Sequence, residues 1–177
     1  MKLYLARHCE SMYNQQHMLN ADPSVIVDLT PRGIEQAKGL AQKLANEKFE
    51  VIYVSELVRT HQTANIVNEK HHVPMIVDGR LNDNASGFEG KPAHEYLKAL
   101  DEHDDMWRVA LNDGESLEQA RNRAASFLED LKKTTYSAVL IVTHGYVIEA
   151  MYGILHHLPI ENSVYTIPQG DYATFEI

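Results

Sequence analysis

The chain has 177 residues, and at about 150 residues per domain this length favours a single domain with a sizeable core. Its 16 basic and 25 acidic residues give a formal net charge of −9, which argues against nucleic acid or an anionic membrane as the main partner, because neutralising many phosphates needs an excess of Lys and Arg. With one cysteine and no apolar run as long as a signal-peptide core or a membrane span, we expect a cytoplasmic protein without an internal disulfide.

Short apolar runs alternate along the chain with segments of helical periodicity. Runs that are nearly continuous in Val, Ile, Leu or Tyr predict four buried strands, at residues 3–6, 51–54, 75–77 and 138–142. Helical spacing predicts four helices, at residues 31–44, 59–70, 117–131 and 145–156. The clearest helix starts are Thr30 ahead of Pro31, and the capping box that Ser116 forms with Gln119.

Strands separated by helices imply right-handed crossovers, and the alternating segment 172–177 predicts an edge strand. The expected fold class is α/β, as a three-layer α/β/α sandwich with a mainly parallel central sheet and one antiparallel edge strand. Residues 1–177 form one domain in this interpretation. Within it, residues 84–115 are the longest stretch without a clear strand and are expected to cover the functional site, with Trp107 as a packing anchor.

Residues that carry chemistry follow the end of each of the first four predicted strands. They are Arg7 and His8, then Ser55 and Arg59, then Asp83, and finally His144. Because ligands bind beyond the carboxyl ends of parallel strands, we expect these side chains to meet at one edge of the sheet. Two guanidiniums and two imidazoles suit a phosphoryl group, since Arg binds its oxygens bidentately and a neutral His can attack phosphorus. A nearby carboxylic acid can protonate the leaving oxygen.

Five sequence blocks extend this pattern over nearly the whole chain. They begin at Arg7 (RHCES), Leu29 (LTPRGIEQA), Ser55 (SELVRTHQTA), Gly114 (GES) and Val142 (VTHG). Each block is weak alone, but their combination and order resemble the signature motifs of the histidine phosphatase superfamily, the phosphoglycerate-mutase-like fold. The resemblance implies a metal-independent phosphomonoesterase of the histidine acid phosphatase type that uses no cofactor.

The resemblance also implies roles for individual residues. His8 would become a phosphohistidine that water then hydrolyses, and His144 would hold phosphate oxygens during the transfer. The implied phosphate-binding residues are Arg7, Asn14, Arg59 and Ser55, the last by orienting Arg7 or His8. The expected partner is a small phosphorylated metabolite, with no nucleic acid and no membrane; the sequence indicates neither which metabolite nor an oligomeric state.

Cys9 stands where the family usually has glycine. A tyrosine-phosphatase-type nucleophile needs Arg at the sixth position after the cysteine, but Gln15 stands there. We therefore interpret Cys9 as a small buried filler. The alternative hypothesis is redox control, with the pKa of the thiol lowered by Arg7 and His8.

The proton donor is a second departure from the family pattern. Phosphatase members commonly carry a Glu after the third strand, in an LxE…FGxxEG segment. Here the corresponding segment, LNDNASGFEG, is one residue shorter and puts Asp83 at the acid position. We expect Asp83 to donate the proton, with Glu89 as the second candidate.

Two other functions stay open. One is phosphoglycerate-mutase-type phosphoryl transfer, which the short chain and the altered segment around Asp83 disfavour. The other is a module that binds a phospholigand or phosphoprotein with little or no turnover, an alternative kept by the departures at Cys9 and Asp83.

Overall fold

The computed structural model describes all 177 residues and contains five strands and six α-helices. The strands are β1 (Lys2–Arg7), β2 (Ile52–Val54), β3 (Met75–Val77), β4 (Ala138–Thr143) and β5 (Tyr172–Glu176). The helices are α1 (Met12–Gln15), α2 (Pro31–Leu44), α3 (Val58–Asn68), α4 (Ala93–Asp101), α5 (Leu117–Leu131) and α6 (Gly145–Leu155).

The strands form one sheet in the order β3-β2-β4-β1-β5. All neighbours are parallel except β1 and β5, which are antiparallel, so the predicted mixed sheet with one antiparallel edge is confirmed. In the register of β1 and β4, Arg7 lies opposite Thr143. His8 follows Arg7 and His144 follows Thr143, so this register alone brings the two histidines side by side.

Alternation along the central strands builds two apolar layers, one on each face of the sheet. Leu3 and Leu5 of β1 share a buried cluster with residues of α5 and α6. Tyr4 and Ala6, which point to the other face, share a second cluster with residues of α2 and α3. The three-layer sandwich is therefore as predicted, with its site edge at the carboxyl ends of β1, β2 and β4.

Two helix starts follow the side-chain signals in the sequence. Thr30 caps α2 by accepting a hydrogen bond from the backbone N–H of Gly33, and Ser116 forms its capping box with Gln119 ahead of α5. A Cβ at Gly33 would collide with the backbone oxygen of Glu10, so glycine lets α2 approach the segment after β1. None of the six helices combines the length and the apolar character needed to cross a membrane.

Three features of the fold differ from the predictions. The strand β3 is not buried, because it lies at the sheet edge and pairs only with β2; Val77 is 51% exposed. Helices α1 and α4 were not predicted at all. The helix α4 begins after Pro92 and buries Tyr96 and Leu100, one helical turn apart, within residues 84–115, the longest stretch without a clear strand in the sequence.

Candidate active site

Arg7, His8, Arg59 and His144 lie together at the carboxyl edge of the sheet, and we call these four residues the basic cluster. His8 follows β1 and His144 follows β4, and their ring centroids are 5.0 Å apart. Arg59 enters from the first turn of α3 and is only 3% exposed. The structure thus brings together four residues that lie up to 137 positions apart in the sequence.

His8 is held in one tautomer by the backbone beside it. Its Nδ1 lies 2.7 Å from the backbone oxygen of Cys9. A carbonyl oxygen can only accept a hydrogen bond, so Nδ1 carries the hydrogen and Nε2 carries the lone pair. Arg59 confirms this assignment, because its Nε–H donates to His8 Nε2 at 3.2 Å.

Arg59 is the hub of the basic cluster. Besides His8, its guanidinium donates to Nδ1 of His144 at 3.1 Å and to the carboxylate of Asp83 at 3.2 Å. Asn20 accepts two further hydrogen bonds, at its side-chain oxygen (2.6 Å) and its backbone oxygen (2.9 Å). The guanidinium is therefore fixed in orientation, with the edge that carries Nε and one terminal nitrogen turned to both imidazoles.

His144 is fixed by a chain of hydroxyl groups. The guanidinium of Arg59 can only donate, so Nδ1 of a neutral His144 accepts and Nε2 donates, here to Ser55 Oγ at 2.8 Å. Ser55 in turn lies 2.9 Å from Thr60 Oγ1. The expectation that Ser55 orients Arg7 or His8 is not met, because Ser55 follows β2, whose neighbour in the sheet is β4 and not β1.

Arg7 supplies the second cation. Its side chain packs against the start of α6, where a Cβ on Gly145 would lie 3.3 Å from the guanidinium carbon. One terminal nitrogen donates to the backbone oxygen of Ile167 at 3.3 Å, but the buried Nε–H has no hydrogen-bond partner. A buried N–H without an acceptor is costly, so this group is suited to an anionic oxygen.

Both imidazoles of the basic cluster are neutral at physiological pH. Burial lowers the pKa of His8 well below its usual range, and the charges of Arg59 and then Arg7 lower it further. Burial, Arg59 and His8 do the same to the pKa of His144. A neutral His8 with its lone pair on Nε2 is a nucleophile, whereas the two guanidiniums hold the positive charge.

Asp83 lies at the rim of the basic cluster, with its side chain 31% exposed. One carboxylate oxygen contacts Arg59 at 3.2 Å and Nδ1 of His144 at 3.6 Å. Its backbone is held by Arg123, which donates to the oxygen of Asp83 at 2.9 Å and forms an ion pair with Glu115 at 2.6 Å. Arg123 and Glu115 thus clamp the loop that carries the candidate acid.

Glu89, the second candidate acid, has a different environment. One carboxylate oxygen accepts from Asn20 at 2.9 Å, and the other accepts from the backbone N–H groups of Ala21 and Asp22. Glu89 therefore stabilises the loop that presents Asn20 to Arg59. Asp83, which contacts two members of the basic cluster, is the better placed of the two acids.

Asn14 completes the capping box of the short helix α1, whose N-cap is Ser11. Its Oδ1 accepts from Ser11 Oγ at 2.9 Å and from Gln169 at 2.8 Å. No hydrogen bond joins it to the basic cluster, so its predicted role in phosphate binding stays a prediction. Its Nδ2 makes no hydrogen bond within the protein and remains the group that could serve that role.

Cys9 is fully buried, and its side chain packs outside the basic cluster. It packs in a small cluster with Leu29 and Ala37, and burial raises the pKa of its thiol to about 11. A redox-sensitive thiol needs the opposite shift. The structure therefore favours the filler interpretation.

A cavity of about 340 Å³ opens beside Asp83, and we call it the apolar cavity. Its walls come mainly from α4, from the loop after it and from the starts of α5 and α6. The lining residues include Asn20, Asp83, Asn84, Tyr96, Leu100, Met106, Trp107, Leu117, Tyr146 and Glu149. On the other side of Asp83 lies a wider cavity of about 530 Å³ with a more polar lining, which includes Asn82, Asp113, Glu115 and Arg123.

Asn20 and Arg123 are site residues for which sequence reasoning predicted no role. Asn20 reaches Arg59 across 39 positions, and no local motif marks that contact. Glu115 lies in the block GES, whose spacing to Arg123 could have suggested a pair eight residues apart. A sequence pattern therefore marks the pair of Glu115 and Arg123, but no pattern marks Asn20.

The fold and the site define a three-layer α/β protein with two histidines and two arginines at the carboxyl edge of its sheet. A sequence model described as the histidine phosphatase superfamily (branch 1) matches residues 3–175. The chain therefore belongs to the histidine phosphatase superfamily, as the five sequence blocks predict.

Similar proteins extend this assignment. "Phosphoserine phosphatase 1" of Hydrogenobacter thermophilus is 35% identical over 160 residues, which cover 85% of this chain and 74% of that protein. A Yersinia pestis protein named "Probable phosphoglycerate mutase GpmB" is 28% identical over 90% of this chain and 76% of its own length. The crystal structure of the alpha-ribazole phosphatase from Shigella flexneri superposes with a TM-score of 0.88 at 26% identity, covering 100% of this chain and 91% of that one.

Proposed function

We propose that the protein is a metal-independent phosphomonoesterase of the histidine acid phosphatase type. It hydrolyses a small phosphorylated metabolite through a phosphohistidine on His8. The observation that carries this proposal is the state of His8: a buried neutral imidazole whose Nε2 lone pair lies beside the guanidinium of Arg59, with Arg7 close by. Relatives named as phosphatases support the same reaction class. The single, unpaired cysteine supports a cytoplasmic setting.

Substrate binding prepares both reacting groups. Phosphate oxygens are stronger acceptors for Arg59 than an imidazole lone pair, so a bound phosphoryl group releases Nε2 of His8 from its hydrogen bond. The unpartnered Nε–H of Arg7 gains an acceptor in the same event. The phosphate dianion also competes with the Asp83 carboxyl for Arg59, and Asp83 takes part in the transfer as a carboxylic acid.

The first chemical step transfers the phosphoryl group to His8. The Nε2 lone pair attacks phosphorus, the bond from phosphorus to the ester oxygen breaks, and that oxygen takes the proton of Asp83. Arg7 and Arg59 stabilise the charge on the phosphoryl oxygens during transfer, and His144 positions Arg59 by accepting a hydrogen bond from its guanidinium. The hydrogen bond from Nδ1 to the backbone oxygen of Cys9 stabilises the positive charge that the ring acquires.

The second step returns the enzyme to its starting state. A water molecule attacks phosphorus and gives a proton to the Asp83 carboxylate. The nitrogen–phosphorus bond breaks, its electron pair returns to Nε2, and inorganic phosphate leaves. Residues 84–115, which supply most of the walls of the apolar cavity, cover the leaving-group side of the site in this proposal.

The test is phosphate release from a panel of phosphorylated metabolites, measured with and without a chelator, on the wild type and on His8→Asn. Release should persist in chelator and disappear in His8→Asn. His71→Asn, which alters another partly buried histidine far from the basic cluster, should keep it. Protein quenched in alkali should contain a phosphohistidine, because its nitrogen–phosphorus bond is stable in base but is hydrolysed in acid.

Three results would contradict the proposal. Loss of activity in chelator would indicate a metal enzyme. Tight phosphate binding without release would support the binding module. Isomerisation of a phosphoglycerate that outpaces its hydrolysis would support the mutase, the activity in the name of the Yersinia pestis relative.

A further inference from the structure

Two residues that contact Arg59 of the basic cluster also line the apolar cavity. Asp83 lines the cavity and contacts Arg59, and Asn20 lines it while accepting two hydrogen bonds from the same guanidinium. A phosphoryl group held by Arg59 therefore has its ester oxygen near Asp83. The organic part of the substrate then begins where the cavity begins.

The two cavities beside Asp83 differ in what they offer to that organic part. The wider one presents carboxylates such as Asp113 and Glu115, and its cation Arg123 is already committed to Glu115 and to backbone oxygens. The apolar cavity presents the rings of Tyr96, Trp107 and Tyr146 together with aliphatic side chains. Its volume of about 340 Å³ lies in the range of small-molecule sites.

Two acceptors in the apolar cavity lack a donor. Oδ1 of Asn84 is buried without a hydrogen-bond partner, while its Nδ2 is held by the hydroxyl of Tyr96 at 2.8 Å. Glu149 has its pKa raised, with burial as the single cause, so no neighbouring donor compensates its partly buried carboxylate. An unpaired buried acceptor is costly, and a ligand that brings an N–H group removes that cost.

On the basis of the proposed phosphatase activity, we propose that the apolar cavity binds the leaving group of the substrate, and that this group combines a flat apolar body with an N–H donor. The aromatic walls contact the body, and Asn84 Oδ1 accepts from the N–H group. Glu149, which lines the same cavity, makes a donor more favourable there than an acceptor. A small zwitterionic leaving group contacts little of the apolar lining of this cavity.

The probes are four primary alkyl phosphates, so that every leaving group needs protonation to a similar degree. They are ethyl phosphate, 2-phenylethyl phosphate, 2-(indol-3-yl)ethyl phosphate and the N-methyl derivative of the indole ester. We expect kcat/KM to rise from the ethyl to the phenylethyl ester and again to the indole ester. N-methylation removes the donor and adds one methyl group, and it should lower kcat/KM by about tenfold.

The variants assign these preferences to residues. In Asn84→Leu the indole ester should lose its advantage over the N-methyl ester. In Trp107→Ala all three ring-bearing esters should lose most of their advantage over ethyl phosphate. The ratio of two substrates on one variant is the readout, so a general loss of activity does not imitate the effect. Asn122→Leu, a change at an exposed position of α5, is the matched control and should keep every ratio.

The outcomes separate this inference from the proposed function. If ethyl phosphate is hydrolysed but all four esters have equal kcat/KM, the phosphatase stands and this inference is wrong. If the N-methyl and indole esters react equally well, the cavity recognises no donor and the inference is also wrong. If no ester is hydrolysed, the proposed function fails and takes the inference with it.

Discussion

The basic cluster and the apolar cavity are built in different ways. His8 and His144 follow central strands directly, Arg59 stands in the first turn of α3, and all three are almost completely buried with their hydrogen bonds in place. The walls of the apolar cavity come largely from α4 and the loop after it, outside the sheet, and two of their acceptors lack partners. In the proposed function, the reaction chemistry thus depends on the sheet, whereas selectivity depends on a segment attached to it.

Asp83 belongs to both regions, so its removal should give the largest effect. In Asp83→Asn, release from ethyl phosphate should fall by roughly 10²–10⁴-fold, because the alkoxide leaving group needs a proton. Release from a nitrophenyl ester should change little, since that leaving group is stable as an anion. Steady-state kinetics on both esters measures the difference.

Glu89→Gln is the matched control for Asp83→Asn. Glu89 supports the loop of Asn20, so any loss in this variant should be the same for both esters. The assignment fails if Asp83→Asn hydrolyses ethyl phosphate at the wild-type rate. A loss specific to the alkyl ester in Glu89→Gln would instead make Glu89 the acid.

The basic cluster should make folding sensitive to mildly acidic pH. Because the pKa of His8 and of His144 is lowered in the folded state, the unfolded chain binds protons below about pH 6.5 that the folded chain does not. Stability should therefore be complete above that pH and decrease as the pH falls toward the folded-state values. The slope is at most about 1.4 kcal/mol per pH unit for each imidazole.

Urea unfolding between pH 7.5 and pH 5.5 measures this slope. His8→Asn should remove the contribution of one imidazole. Glu149→Gln is the control from the apolar cavity: the pKa of its carboxyl is raised, so its contribution has the opposite sign and its removal should steepen the slope. Equal stability across this range would contradict the prediction.

A variant of Arg123 tests whether the basic cluster and the apolar cavity are coupled through the loop of Asp83. Arg123→Met removes the clamp on that loop, so we expect a loss of roughly 10- to 100-fold for ethyl phosphate through misplacement of the acid. The nitrophenyl ester should again be affected much less. Arg121→Met, which breaks contacts to Ser163 and Leu158 instead, should not change the ratio of the two esters.

Cys9 should give the smallest effect, although it is adjacent to the nucleophile. Cys9→Ala should lower the free energy of unfolding by about 1 kcal/mol, as a small loss of packing. Peroxide should inactivate the wild type and this variant equally, because the buried thiol has a raised pKa. Faster inactivation of the wild type would restore the hypothesis of redox control.

Local patterns explain why most of the fold could be predicted. The cap of Thr30 and the box of Ser116 act within three residues, so a single sequence contains them entirely. The residues after β1 and β4 could be placed at one edge because parallel strands fix that edge. The exposure of β3 could not be predicted, because it depends on the position of the strand in the sheet order.

The candidate site also has parts that local patterns predict and parts that depend on distant contacts. The basic cluster could be predicted from strand ends and motifs, but the partner of Ser55 could not, because it depends on which strand neighbours β2. Asn20 contributes through a contact across 39 positions with no local signal. The apolar cavity depends on α4, a helix of nine residues whose two buried positions, Tyr96 and Leu100, are too few to predict it from the sequence.

The hydrogen bond from His8 Nδ1 to the oxygen of residue 9 has one further consequence. The group that fixes the nucleophile belongs to the main chain, so replacing one side chain at position 9 with another leaves that group in place. Position 9 must provide a peptide group whose oxygen faces Nδ1 of His8 and whose N–H donates to Thr63 Oγ1, here at 3.1 Å. Substitutions at position 9 can therefore change the packing next to His8, while the backbone oxygen keeps the His8 ring in the same tautomer.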